Sequence, residues 1–588
     1  MADEQDLGSC VFWRVGSNPI FRILYFDMSH TKKLMMTLIM ASSFLVILFL
    51  ILRAAGDSGQ PVLSFSRESG FYDDPFYLEM DHSNGTVYYT LDCSRPDETS
   101  QIYTQPVLID DASQNENLYS MRTDVAVFDR ALVKERDAGT PEDYVVPDSL
   151  VDKCTVVRAV CIDELGGRSE EKSGVFFVGY DERPAYDSLS VVSLYTSPEN
   201  LFDHEDGIYV TGKVMEDYLK KGERVENDDF WWWWPANYRM KGMDWEREAV
   251  IEIFDKDRER IMAKNVGIRI QGGGSRAYLP RSLNVYARKD YDGTEVFDEG
   301  LFGLSYPQSS FTVFSGGDSR VTKLEDYIPG SLAAGLDIST MHFEPAAVFL
   351  EGEFWGFNYI TERYDEAYFA GHYGVDKNNI VMIKEGEVAL GDERDIKLYE
   401  DDLAFMKSVD VTTDAGLSEL EKRIDLESFI DYYAVQLYID RRNDWPYMNF
   451  ALWRSRDEQE GEYGDCRWRW ILFDDNSGAY GPASVSSNSI ANTREVDYVL
   501  DNLLRSPKID ERLRQKMLGL SENEFEPGRV SAFVDEYYAL TKGIMHNEFE
   551  RFYGDKRDYD KFFESRVYRF SDYFEKRSKY VKEHLEEL

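Results

Sequence analysis

Histidine and cysteine are both scarce in this chain, with seven of the first and five of the second among 588 residues. The histidines are scattered, so neither a histidine-built zinc site nor a Ser-His-Asp triad is expected. Five cysteines do not make a disulfide scaffold. Cys154 and Cys161 sit in one strand-like run, where seven residues at about 3.3 Å each hold them too far apart to bond. Cys93 could pair with either of them, and Cys10 lies near the N-terminus.

Basic residues are also in short supply. Lys and Arg total 66 against 109 Asp and Glu, a formal charge of −43. A phosphate-backbone binder needs a basic footprint that releases counterions, so nucleic acid is excluded as a partner. Acidity alone favours solubility and assigns no function.

Long uncharged apolar stretches are limited to residues 34–52, LMMTLIMASSFLVILFLIL. As helix they would extend about 28 Å, close to the hydrocarbon thickness of a bilayer. A signal-peptide core is shorter and follows a short basic segment; here 33 residues come first, and the RAAG that follows is a poor cleavage site. Arg14, Arg22, Lys32 and Lys33 precede the run, while Arg53 and Arg67 follow it. That bias sets the N-terminus in the cytoplasm. The expectation is a cytoplasmic tail at 1–33, a transmembrane signal anchor at 34–53, and the bulk of the chain outside a cell membrane crossed once.

Residues 61–180 read as β-structure. DPFYLEM and TVYYTLD flank Asn84-Gly85, a hairpin signal, and YTQPVLI, TVVRAVCI and GVFFVGY add strands. An all-β, immunoglobulin-like sandwich is expected, with the acidic stretch 110–150 as a solvated loop. From about 187 to 588 the pattern is α+β. AVIEIFD, NVGIRIQGG and RSLNVYAR alternate like strands, EPAAVFLEG and FWGFNYITER form a hairpin, and helical spacing takes over after 395 apart from a strand at 467–473.

One constellation carries chemistry. Asp444 and Asn449 are five residues apart in RNDWPYMNF, and the strand RWRWILF then delivers Asp474. In protein kinases a catalytic-loop Asp orients the acceptor hydroxyl, an Asn five residues on holds a metal, and an Asp beyond a short strand binds the metal bridging the phosphates. Two carboxylates and an amide, Asp444, Asp474 and Asn449, offer the oxygens that Mg²⁺ prefers. Upstream, Gly273 and Gly274 could bring backbone amides to a phosphate, with Arg276 and Arg281 as charge partners. Glu362 is either part of the nucleotide site or half of a buried ion pair. Lys384 is either a nucleotide contact or, the favoured reading, a solvated strand-end residue. The Trp231–Trp234 run is core, with at least two of the four buried, or else a glycan platform.

Two resemblances follow from these motifs. The run GFYDDPFYLEM to VVRAVCID resembles the immunoglobulin-like domain at the C-terminus of chitobiases and β-hexosaminidases, where it is an accessory module. SLYTSPENLFDHEDGIYVTG, GIRIQGGGSRAYLPRSLNVYAR, PAAVFLEGEFWGFNYITERYD and NDWPYMNFALWR with WRWILFDDNSGAYG together resemble the CotH kinase family of atypical protein kinases. The resemblance implies ATP and Mg²⁺ (or Mn²⁺) as cofactors and a secreted or cell-surface protein as phosphate acceptor. It makes Asp444 the catalytic residue, Asp474 the principal metal ligand and Asn449 the second. Met448 stands where the family often has Asn, Asn476 where it often has a second Asp, and Arg281 where it often has Lys. The competing expectation is a catalytically silent surface protein that uses the same fold to bind glycans or a partner.

Overall fold

A computed structural model describes residues 60–587 apart from 128–129, 141–143, 223–228, 298–300, 442–444, 478–483 and 555–557. The N-terminal part is β-rich. Five strands pair in the order Gly70–Tyr72, Lys172–Val178, Thr155–Ile162, Thr86–Thr90 and Gln101–Ile102. Two small sheets, Val62–Phe65 with Met80–Ser83 and Phe76–Leu78 with Val107–Ile109, pack on them. Leu78, Met80, Val87, Ile109, Val157 and Phe176 fill the space between.

The Asn84-Gly85 hairpin is corrected. Met80–Ser83 pairs with Val62–Phe65, whereas Thr86–Thr90 pairs with Thr155–Ile162. The turn carries the chain from one face of the core to the other, because Met80 and Val87 are buried from opposite sheets. The solvated loop expected at 110–150 is also corrected. Val125, Ala126, Val133, Ala138 and Tyr144 are buried in the core of the following domain, and the Leu118 and Ser120 amides donate to the Glu353 carboxylate, each at 2.6 Å. Cys93, Cys154, Cys161 and Cys466 are free thiols; Cys10 lies outside the described residues.

Seven strands then close a barrel. Ser190–Tyr195 pairs antiparallel with Arg247–Phe254 and parallel with Phe343–Leu350; Arg260–Ile270, Leu283–Tyr286, Ser310–Phe314 and Glu353–Thr361 complete the ring. Val285, Phe311 and Val313 point into the barrel core. Their neighbours Asn284, Tyr286, Ser310 and Thr312 therefore face outward, by the period of two of a strand, and line a cleft. The N-terminal β-region is fused to this barrel. Phe177 packs edge-on against Phe254 and Phe349 at 5.7 and 5.0 Å, and Cys154 N–H donates to the Gly352 carbonyl at 2.9 Å.

Opposite the barrel lies a four-stranded sheet in the order Glu387–Leu390, Ile380–Lys384, Ala451–Ser455 and Arg469–Ile471. Behind it runs the helix Leu426–Tyr438, buried at every position except Glu427. Asp425 caps it, accepting from the Ser428 N–H. The helices Pro507–Glu522, Pro527–Tyr553 and Tyr559–Glu587 complete the C-terminal part.

The transmembrane element of the expected fold is likewise corrected. Among the described residues no helix is long and apolar enough to cross a membrane; the two longest, Pro527–Tyr553 and Tyr559–Glu587, carry charged residues along their length. The run at 34–53 lies outside the described residues. The architecture is a β-rich N-terminal region, a closed barrel and a helical C-terminal part.

Candidate functional site

The barrel wall and the four-stranded sheet enclose a cleft of about 1580 Å³. Strand register assembles its chemistry. Ala451 pairs with Ile471 on one side and with Lys384 on the other, all antiparallel. The residues just before Ala451, just after Ile471 and at the end of Ile380–Lys384 therefore gather at one end of the sheet. Those residues are Asn449, Asp474 and Lys384, and all three line the cleft. Asn449 and Asp474 both have left-handed backbones, with φ of 53° and 54°, a conformation that Asn and Asp tolerate better than most residues.

Arg441, delivered at the end of the buried helix, fixes the Asp474 turn. It is fully buried, donates to the Phe473 carbonyl at 3.2 Å and the Asp475 carboxylate at 2.7 Å, and also donates to the Asp474 carbonyl. Gln436 adds a bond to Asp475 at 2.9 Å. Burial pushes the Asp475 carboxyl up to about 6, against the pull of Arg441 and Gln436 and with help from Asp474. Asp475 is thus a structural carboxylate, while Asp474 faces the cleft. Asn476 lines the cleft too, and its amide donates to Asp474 Oδ1 at 2.9 Å. Asp444, with Arg442 and Asn443, lies outside the described residues.

The glycine loop follows Ile270, and Gly272, Gly273 and Ser275 line the cleft. Gly272 has φ 110°, closed to other residues without strain. A Cβ on Gly274 would come within 3.1 Å of the Trp232 ring, so that glycine lets the loop rest on the Trp run and is not part of the cleft lining. Trp231 and Trp234 are 2% and 0% exposed, as expected for core. Arg239 lies over the Trp233 ring at 4.6 Å and donates to the Gly273 carbonyl at 3.2 Å.

Arg276 and Arg281 do not act as cleft cations. Arg276 donates to the carbonyls of Gly272 at 2.6 Å and Met240 at 2.8 Å; burial, then Arg239, lowers it to about 10, so it stays charged. Arg281 is 2% exposed and donates to the carbonyls of Arg276 at 2.6 Å and Val125 at 2.7 Å, with its head over the Tyr238 ring at 4.1 Å. Both hold the loop from behind.

Glu362 lies at the cleft margin with both oxygens engaged. Oε1 faces His372 Nε2 at 2.7 Å and accepts from Tyr306, while Oε2 accepts from the His342 N–H at 3.0 Å. Burial alone would raise its carboxyl, but the bond and charge of His372, then Tyr306 and the His342 N–H, hold it below the ordinary value. With Asp365, which accepts from Ser309 and Ser310 at 2.8 and 2.6 Å, it latches the helix Glu366–Tyr373 to the barrel.

Lys241 and Asp326 are among the cleft residues that had no sequence signal. Burial, then the charges of Arg276, Arg239 and Lys384, holds the Lys241 ammonium below its ordinary value, so positive charge is concentrated beside the glycine loop. Lys384, exposed at the end of its strand as the sequence suggested, sits over the Phe473 ring at 4.5 Å in the same cleft. Among the described residues no group of three or more His, Cys, Asp or Glu is placed to hold a metal ion; the metal-suited oxygens are Asp474 with the amides of Asn449 and Asn476.

The CotH kinase protein family model matches residues 268–581, more than half of the chain, and covers the glycine loop, most of the cleft and the helices behind it. The chain belongs to the CotH kinase protein family. Residues 76–176 match the Fn3 associated model, which falls on the N-terminal β-region. No curated protein matches the chain. The barrel strands Ser190–Tyr195 and Arg247–Phe254 precede the matched CotH segment yet are paired into the same ring.

Proposed function

We propose that the cleft binds ATP with Mg²⁺ or Mn²⁺ and transfers the γ-phosphoryl group to a hydroxyl of a secreted or cell-surface protein. The observation that carries this reading is the meeting of Asn449, Asp474 and the Gly272–Gly273 loop in one cleft. The donor set suits a hard divalent cation, which takes oxygen ligands and keeps waters. Asp474 would be its charged ligand, with Asn449 and Asn476 lending amide oxygens. The bound cation offsets the charge of the triphosphate. Gly272 and Gly273, without side chains, let the backbone approach the phosphates, and Lys241 and Lys384 add positive charge. By the family motif Asp444 orients the acceptor hydroxyl and takes its proton. An oxygen–phosphorus bond to the acceptor forms as the bond to the β-phosphate oxygen breaks, and ADP leaves.

Incubation with γ-labelled ATP and Mg²⁺ or Mn²⁺ tests this reading. Label is expected on the chain itself or on an added surface-protein fraction, together with a rise in melting temperature that requires ATP and metal together. No transfer and no metal-dependent stabilisation by ATP would refute it.

A further inference from the structure

We propose that Asp326 is a second carboxylate ligand of the cation held by Asp474, supplying the charge that Asn476 does not. The inference rests on reading the cleft as a metal–nucleotide site.

Asp326 stands immediately before the helix Tyr327–Leu332, in the connection between the barrel strands Ser310–Phe314 and Phe343–Leu350, and lines the cleft. It is 7% exposed. Oδ1 accepts the Asp475 N–H, which fixes the carboxylate against the Asp474 turn. Oδ2 is buried without a hydrogen-bond partner although the residue lines the cleft. A buried carboxylate oxygen is ordinarily paired, since burial without a partner is unfavourable. Among the described residues, the charges that act on it most are the carboxylates of Asp474 and Asp475 and the guanidinium of Arg441. Arg441 is directed to Asp475 and to the carbonyls of Phe473 and Asp474. Among the described residues, carboxylates from two elements thus crowd together, and the guanidinium beside them, Arg441, bonds Asp475 and the carbonyls of the turn. Neighbouring Glu325 is occupied by Thr322 at 2.6 Å and Arg569 at 2.9 Å, so it does not contribute. A divalent cation between Asp326 Oδ2 and Asp474 would relieve the repulsion and satisfy the orphaned oxygen. Two carboxylates, amide oxygens and waters form a shell of the kind Mg²⁺ and Mn²⁺ take.

The test is calorimetric titration of Mn²⁺ into the nucleotide-free full chain, as wild type, Asp326→Asn, Asp474→Asn and the double variant Asp326→Asn/Asn476→Asp. Asp326→Asn keeps an acceptor for the Asp475 N–H. Its melting temperature without metal is expected to equal or exceed that of wild type, because a like charge is removed. Its Mn²⁺ affinity is expected to fall at least tenfold, and the double variant to recover most of that loss. Unchanged affinity in Asp326→Asn, with binding lost in Asp474→Asn, would overturn this assignment and leave the proposed function standing; the orphaned oxygen would then carry a proton. A lower metal-free melting temperature in Asp326→Asn would also overturn it. A wild type that binds Mn²⁺ neither alone nor with ATP would overturn both.

Discussion

The two walls of the cleft use charged residues in opposite ways. On the barrel wall Arg276, Arg281 and Glu362 are turned to backbone carbonyls, a tyrosine, a backbone amide and a histidine, and they hold the glycine loop and the helix Glu366–Tyr373 in place. On the sheet wall Asp474, Asn449 and Asn476 sit at strand ends and line the opening, two of them with left-handed backbones. A charge whose bonds are made by the protein contributes to stability. A charge that lines the opening is within reach of a ligand. The difference teaches that proximity in sequence to a glycine loop does not make an arginine a phosphate ligand.

That contrast can be broken by separating binding, transfer and stability. The largest effect is expected at Asp444. Asp444→Asn should lower phosphoryl transfer at least about 10³-fold, near 4 kcal/mol of transition-state stabilisation, while ATP·Mg²⁺ affinity changes less than about threefold. Single-turnover transfer beside calorimetry checks it; equal losses in both would move Asp444 into the nucleotide site. Arg281→Met should do the reverse. It leaves buried carbonyls without their charged donor and should reduce stability by about 3–4 kcal/mol, with nucleotide affinity of the folded fraction nearly unchanged. Denaturant unfolding measures this, and a large affinity loss at wild-type stability would return Arg281 to the cleft.

Glu362→Gln should destabilise by about 1–3 kcal/mol at pH 7. The sign of its pH dependence follows from a folded value held below the ordinary 4.5. Its contribution is full above about pH 4.5 and is lost as pH falls through the lower folded value. The gap between wild type and variant should therefore close in acid. A gap that is constant from pH 7 to pH 3 would contradict the latch. The smallest effect is expected at Lys384. Lys384→Met should weaken ATP binding by about three- to tenfold at low salt, less at high salt, and leave the melting temperature alone.

Much of this was legible in the sequence, for identifiable reasons. Residues 343–361 hold two strand-length apolar runs broken at Glu351-Gly352, so their hairpin was readable, and it formed as Phe343–Leu350 with Glu353–Thr361. The RWRWILF strand announced the position of Asp474 because an apolar run must end where the chain leaves the core. The Asn84-Gly85 turn misled, since a turn signal fixes local backbone and not the partner of the next strand. Burial of the 110–150 segment was hidden because its apolar residues, Val125, Val133 and Tyr144, are separated by charged ones and face a surface built from distant strands. Closure of the barrel depends on Ser190–Tyr195 meeting Phe343–Leu350 about 150 residues later, which no local pattern encodes. At the site, register explains why Lys384, Asn449 and Asp474 meet, while Asp326 and Lys241 arrive from segments with no motif.

The central claim is that Asp474 serves a metal–nucleotide complex and not the fold. Calorimetric titration of ATP, with and without Mg²⁺, into wild type and Asp474→Asn tests it most directly when paired with metal-free melting curves. Mg²⁺ is expected to strengthen ATP binding to wild type, Asp474→Asn to lose that Mg²⁺-dependent gain, and the two melting temperatures without metal to agree within a few degrees. Equal Mg²⁺-dependent binding by both proteins, or a large loss of metal-free stability in Asp474→Asn, would contradict it.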